Sequence, residues 1–153
     1  MKRTTLKILL PLFLLSMIWA GCDKNNEPEK LPLNHAKGTI IDVTTQCYGE
    51  VVLIEVDNPQ GIGTAGTFNT LEEDTKPLTY QNAIGVPYFS KIGIPDSVPQ
   101  TIGTKLYFTY RELTEEERQD PYLFSPNPPA PCYTLVGPPS AKRYIITKII
   151  SYQ

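Results

Sequence analysis

Histidine and cysteine are the scarcest chemical resources of this chain: His35 is its one histidine, and Cys22, Cys47 and Cys132 are its three cysteines. Metal centres recruit several His or Cys ligands at set spacings, so no metal site is expected. A cysteine nucleophile needs a histidine base within reach. Ser90, Ser97, Ser125, Ser140 and Ser151 lack the Gly-x-Ser-x-Gly elbow of a serine hydrolase. These scarcities point away from an enzyme, and no cofactor is implied. Long apolar runs are missing as well. The longest, Ile8 to Ala20, contains Pro11 and spans about 13 residues, against the roughly 20 a membrane-spanning helix needs.

That short run has a different use. Lys2, Arg3 and Lys7 precede it, and Ala20-Gly21-Cys22 closes it with small residues. A basic start, a short apolar stretch and a small-residue cleavage site make a secretory signal peptide over residues 1–21. Gly21-Cys22 resembles the acceptor of a bacterial lipoprotein signal, although Trp19 stands where such signals usually carry leucine. The resemblance implies acylation of the Cys22 thiol and a membrane partner reached through that anchor. At about 0.8 kcal/mol per buried methylene, several acyl chains hold firmly. Asp23 to Lys30 has no apolar side chain, so residues 22–36 read as a flexible tether. A cysteine followed by acidic residues also resembles the surface-export tethers of Bacteroidetes lipoproteins; a plain solvated linker fits equally well. The expected location is the cell envelope, lipid-anchored to the outer membrane.

Removal of residues 1–21 takes Lys2, Arg3 and Lys7 with it and leaves 11 basic against 16 acidic side chains, a net charge of −5. Nucleic acid demands a concentrated basic surface, so it is not an expected partner. With Cys22 acylated, Cys47 and Cys132 remain as a pair. An oxidising envelope favours a disulfide between them; two buried free thiols and a metal or catalytic role are the alternatives. The bond would close a loop of about 85 residues, for which chain entropy gives roughly 4–5 kcal/mol.

From residue 37 the chain reads as β structure. Residues 37–44 form a first strand with Thr39, Ile41 and Val43 on one face. Val51 to Val56 is its hairpin partner, stopped by Asp57-Asn58-Pro59. Gln60 to Thr79 reads as a long loop with one short strand near Thr67-Phe68. Val86 to Phe89 is a short strand, and Pro95 to Pro99 a single helical or 3₁₀ turn. In Lys105 to Arg111, Leu106, Phe108 and Tyr110 alternate with polar neighbours, the mark of a half-buried strand. Thr114 followed by Glu115-Glu116-Glu117 is a cap for one or two helical turns. Pro121 to Pro131 is an extended, proline-rich loop. Cys132 to Val136 is a short strand, and Arg143 to Ile150 a last one, with isoleucine on both faces and so central or barrel-closing.

The succession of Gly38-Thr39-Ile40-Ile41-Asp42, the Cys47-Tyr48-Gly49 turn, Ile94-Pro95-Asp96-Ser97, Lys105 to Tyr110 and Ile145 to Ile149 resembles the small OB-fold-like lipoproteins of Bacteroidetes bacteria. The resemblance implies an all-β fold over residues 37–153: a small OB-like barrel of five to six antiparallel strands, with long loops and one short helical turn, whose last strand pairs back to the first. It carries no catalytic residues across. OB barrels do bind oligosaccharides and oligonucleotides on one strand face and its flanking loops, though fold alone does not assign that use.

Two decoys are set aside. Gly61-Ile62-Gly63-Thr64-Ala65-Gly66 matches G-x-G-x-x-G, but no helical pattern follows to hold a pyrophosphate. Glu55 and Asp57 share one face of the second strand, roughly 6–7 Å apart, a spacing a glycosidase pair would use but commoner as solubilising charge. Aromatics are the softer signal. Tyr107 faces outward from its strand, and Tyr122, Phe124 and Tyr133 flank the proline loop, so these four form a candidate binding surface. The expected function is a non-enzymatic envelope lipoprotein, a binding or accessory subunit of an envelope protein assembly. The alternative is a module binding a glycan or small polar ligand on the barrel face. A protein contact predicts an exposed apolar patch near the proline loop; a glycan site predicts a groove lined by tyrosine with Asp, Glu or Asn alongside.

Overall fold

The computed structural model describes residues 31–44, 50–57, 61–68, 76–124 and 140–153. Cys22, Cys47, Cys132 and Tyr133 lie outside the described residues, as do the signal peptide, most of the tether, residues 125–131 of the proline loop and the expected 132–136 strand. The described residues form six strands: β1 (His35–Thr44), β2 (Val51–Val56), β3 (Thr64–Phe68), β4 (Leu78–Pro87), β5 (Lys105–Glu112) and β6 (Lys142–Tyr152). A 3₁₀ turn (Phe89–Ile92) follows β4, and a five-residue helix, α1 (Glu115–Gln119), follows β5.

The sheet runs β2-β1-β5-β6-β4-β3 and closes through a β2–β4 pairing. Five strands therefore make a ring, with β3 hung on the first half of β4. This is a small, OB-like all-β barrel. One pairing departs from the expected antiparallel pattern: β6 runs parallel to β4, through Ile84↔Lys142 and Gly85↔Arg143. A second departure concerns closure. β6 pairs with β5 and β4, not with β1; β1 instead lies between β2 and β5. β6 is nonetheless a ring-closing strand, as its isoleucines on both faces suggested.

Inside the ring, alternate residues of every strand meet: Ile40, Val52 and Ile54, Ile84 and Val86, Leu106, Phe108 and Tyr110, Tyr144 and Ile146. The β5 alternation holds as read, with Leu106 and Phe108 buried and Lys105 and Tyr107 facing out. The β1 alternation does not. Between Ile40↔Ile54 and Asp42↔Leu53, Ile41 is an extra residue on β1. Such a bulge shifts the pleat, so Ile40 and Val43 serve the inner core while Ile41 packs outside it.

A second, smaller core covers the outer wall of the ring. Val51 and Leu53, on the far face of β2, pack with Phe68 of β3, Tyr80 and Ala83 of β4, Phe124 and Ala141. Burial on both faces accounts for the uninterrupted Val51-Val52-Leu53-Ile54 run.

Residues 60–79, expected as a loop with one short strand near Thr67-Phe68, supply a five-residue β3 that ends at Phe68 and the first two residues of β4. The signal was weak because half of β4 sits at the rim, with Thr79 exposed at one of its alternating positions and Gln81 at the next, and because the glycines suggested mobility. Those glycines are steric. Gly63 holds φ +88°, and a Cβ there would lie 2.7 Å from the Asn82 carbonyl oxygen. A Cβ on Gly66 would lie 2.7 Å from both Tyr80 Oη and Ser140 Oγ. The G-x-G-x-x-G segment thus leads into a strand, as its lack of helical pattern predicted.

Helical turns are also redistributed. The 3₁₀ turn occupies Phe89–Ile92, where buried Phe89 anchors it and Gly93 ends it at φ +73°. Pro95 to Val98 is a plain turn closed by Val98 N–H donating to Pro95 O at 3.0 Å. At α1 the cap is as read: Thr114 Oγ1 accepts from Glu117 N–H, and Glu117 Oε2 accepts from Thr114 N–H. At the other end, Leu31 is buried and His35 opens β1. Packing therefore begins at least six residues before the expected domain boundary at 37.

Candidate binding surfaces

The four aromatic candidates do not form one surface. Tyr107 sits on the outer face of β5, opposite Lys37 of β1 and Ser151 of β6. The His35 ring lies 5.9 Å from it, tilted 46°, and Lys37 Nζ stands 5.5 Å above its centroid. His35 Nδ1–H donates back to the Leu33 carbonyl at 2.9 Å. A shallow cavity of about 350 Å³ adjoins the ring, lined by Lys37, Asp57, Lys105, Tyr107, Tyr152 and Gln153.

Phe124 is no surface residue. It is 5% exposed, sits in the outer core, and carries the Arg143 guanidinium 4.5 Å above its ring. Tyr122, two residues away, is 43% exposed. Its N–H donates to Asp120 Oδ1 at 2.8 Å, and Lys91 Nζ donates to its carbonyl at 3.5 Å. The described flank of the proline loop therefore holds one exposed tyrosine beside a buried phenylalanine.

Glu55 Oε1 accepts from the Gln81 backbone N–H at 3.0 Å, while Asp57 lies past the end of β2, its N–H donating to Lys37 O. Among the described residues no three His, Cys, Asp or Glu side chains group as a metal site requires. No helix among them is long and apolar enough to cross a membrane.

Two features lay beyond sequence reading. The first is a charged latch between α1 and the barrel. Arg111 donates from both terminal nitrogens to Glu117, each at 2.6 Å. Glu112 accepts from Lys142 Nζ at 3.2 Å and lies 3.6 Å from Arg118. The Arg111 hydrogen bonds, helped by the Thr114 backbone, hold the Glu117 carboxyl down at about 2. Glu112, Glu117, Arg118 and Lys142 rim a cavity of about 220 Å³, but both of these carboxylates already have their cations. The arrangement ties α1 to the sheet.

The second is a groove of about 590 Å³ along the C-terminal half of β6. Ile92, Ile94, Pro95 and Val98 form one wall, and residues 147–152 of β6 the other. Ile149 packs partly against the inner core beneath it, while Ile150 and Tyr152 are 41% and 45% exposed. Its cause is topological. The parallel β4–β6 pairing ends at Gly85↔Arg143, after which the chain leaves β4 as the 3₁₀ turn and an irregular loop beside β6. The one sequence hint was the isoleucine on both faces of the last strand.

The chain matches no protein-family model, and no curated protein is similar to it.

Proposed function

We propose that this chain is a non-enzymatic lipoprotein of the cell envelope, anchored to the outer membrane through Cys22, that works as a binding or accessory subunit of an envelope protein assembly. The observation that supports a protein contact is the β6 groove: an apolar channel flanked by Ile150 and Tyr152, both over two-fifths exposed. Tyrosine and isoleucine side chains in such a setting are contact anchors. The test is photocrosslinking in living cells, with the crosslinker at position 150 in one strain and at position 107 in another. One protein captured in near-stoichiometric amount from position 150 alone supports the subunit reading. Capture of abundant envelope proteins equally from both positions overturns it.

A second reading rests on Tyr107. Its cavity pairs an aromatic face with Asp57, Lys37, Lys105 and Gln153, the combination of platform and polar groups that a glycan uses. Binding of a glycan in an array screen, lost in Tyr107→Ala, would favour it over the protein contact.

A further inference from the structure

β6 has two edges, and among the described residues one of them is unpaired for most of its length. On one side β5 accompanies it from Tyr144 to Tyr152. On the other, β4 pairs only with Lys142 and Arg143. Beyond these, among the described residues, no backbone hydrogen bond joins the strand to the loop that faces it. The direction of the free groups follows from the ladder. Gln153 exchanges both its N–H and its C=O with Lys105, each at 3.0 Å. Bonding alternates along an antiparallel strand, so the N–H and C=O of Tyr152 point away from β5, into the groove. A backbone edge of this kind, with pockets for alternate side chains beside it, is what an extended peptide pairs with.

Charge decides between a second copy and a different chain. β6 carries Lys142, Arg143 and Lys148 and no acidic residue. No carboxylate lines the groove, where Lys148 is the one charged residue. Neither Lys148 nor nearby Lys105 has an ion-pair partner among the described residues. Ile150 and Thr147 are extra residues at two irregularities of the β5–β6 ladder. A lysine on an edge strand is a device that discourages pairing with an identical edge. Two copies of β6 side by side would bring only positive charge together. An acidic strand meets no such repulsion.

We propose that the groove along Lys148–Tyr152 accepts an extended segment of the partner protein as an added strand, with apolar side chains at alternate positions and a carboxylate that meets Lys148. This rests on the subunit reading above and specifies how the partner is held. Five residues of strand present roughly 17 Å of edge, so the bound segment is short.

The test uses the full-length chain in detergent and a short fluorescent peptide that alternates valine with glutamate. Saturable binding is expected, together with slowed hydrogen exchange at the Tyr152 amide. Lys148→Glu, exposed and free of core contacts, is expected to weaken binding about tenfold by reversing the charge contact. A peptide of the same composition with a central proline is expected to bind far less, because proline cannot donate to the ladder. Equal binding of the proline peptide, no binding at all, or self-association of the chain through β6 overturns the proposal. If position 150 still crosslinks to one protein in cells while the peptide fails, strand addition alone falls. If both fail, the subunit reading falls with it.

Discussion

Arg111 and Glu117 meet through two parallel hydrogen bonds of 2.6 Å, and the same carboxylate accepts the Thr114 backbone N–H at 2.8 Å. One side chain thus closes the capping box of a five-residue helix and pins that helix to β5. So short a helix has little stability of its own, which makes this double use its main support.

The latch predicts an acid dependence. Glu117 sits at about 2 when folded, well below its ordinary value of 4.5. A depressed carboxylate adds stability that is complete above the unfolded value and is lost as pH falls through the folded one. With Arg111 41% exposed, solvent screening limits the contribution to about 1 kcal/mol or less. Melting temperature followed between about pH 5 and pH 2 should therefore fall less steeply in Arg111→Ala than in the parent chain. Parallel curves would show that the bond carries no linkage.

Glycine positions predict a graded steric series. A Cβ at Gly38 would lie 2.6 Å from the Glu55 carbonyl oxygen, backbone of the paired strand that has nowhere to go. At Gly85 the nearest atom is a Val51 methyl at 3.4 Å. Gly38→Ala should cost about 1–3 kcal/mol in urea unfolding, and Gly85→Ala under about 1 kcal/mol. Equal costs would mean that the β1–β2 approach at Gly38 is looser than described.

Phe124 and Tyr122 predict opposite results from neighbouring positions. Phe124→Ala empties a site in the outer core and should destabilise by about 3–5 kcal/mol. Tyr122→Ala, exposed and held mainly through its backbone, should change stability by about 0.5 kcal/mol or less. Denaturant midpoints of the two variants check this directly.

The cysteines predict two separable outcomes. Cys22→Ala should move the protein from the membrane fraction to the soluble fraction. Alkylation of the unreduced, acylated protein should find no free thiol if Cys47 and Cys132 are bonded, and two once it is reduced. Two thiols before reduction would remove the disulfide.

Much of the ring is legible in the amino-acid order alone. Leu106, Phe108 and Tyr110 alternate, a period-two pattern that side-chain burial imposes directly, while Val51 to Val56 and the last strand carry apolar residues on both faces, as strands buried on both sides do. Of β3 only its end near Thr67-Phe68 is legible, and the start of β4 is not. Rim strands bury little, and Gly63 and Gly66 are required by contacts with Asn82, Tyr80 and Ser140 that only the folded chain brings near. Of the candidate surface, Tyr107 does lie on an outer face. Phe124 does not, because nothing local to it reveals that Val51 and Leu53, some seventy residues earlier, present an apolar wall for it. The β6 groove escapes notice for the same reason, since Ile92 to Val98 and residues 147–152 lie far apart in the chain.

By itself, then, the sequence determined which residues of β5 point into the barrel, where α1 is capped, and that β structure would dominate. These follow from alternation and capping, which act within a few residues. The tertiary structure decided that β4 and β6 run parallel, that β2 is buried on both faces, and that β6 keeps an edge no described residue pairs with. Those are consequences of ring closure. A five-stranded ring must join strands distant in sequence, and where β4 departs after Gly85 the hydrogen-bonding groups of β6 are left facing a groove that no local pattern encodes.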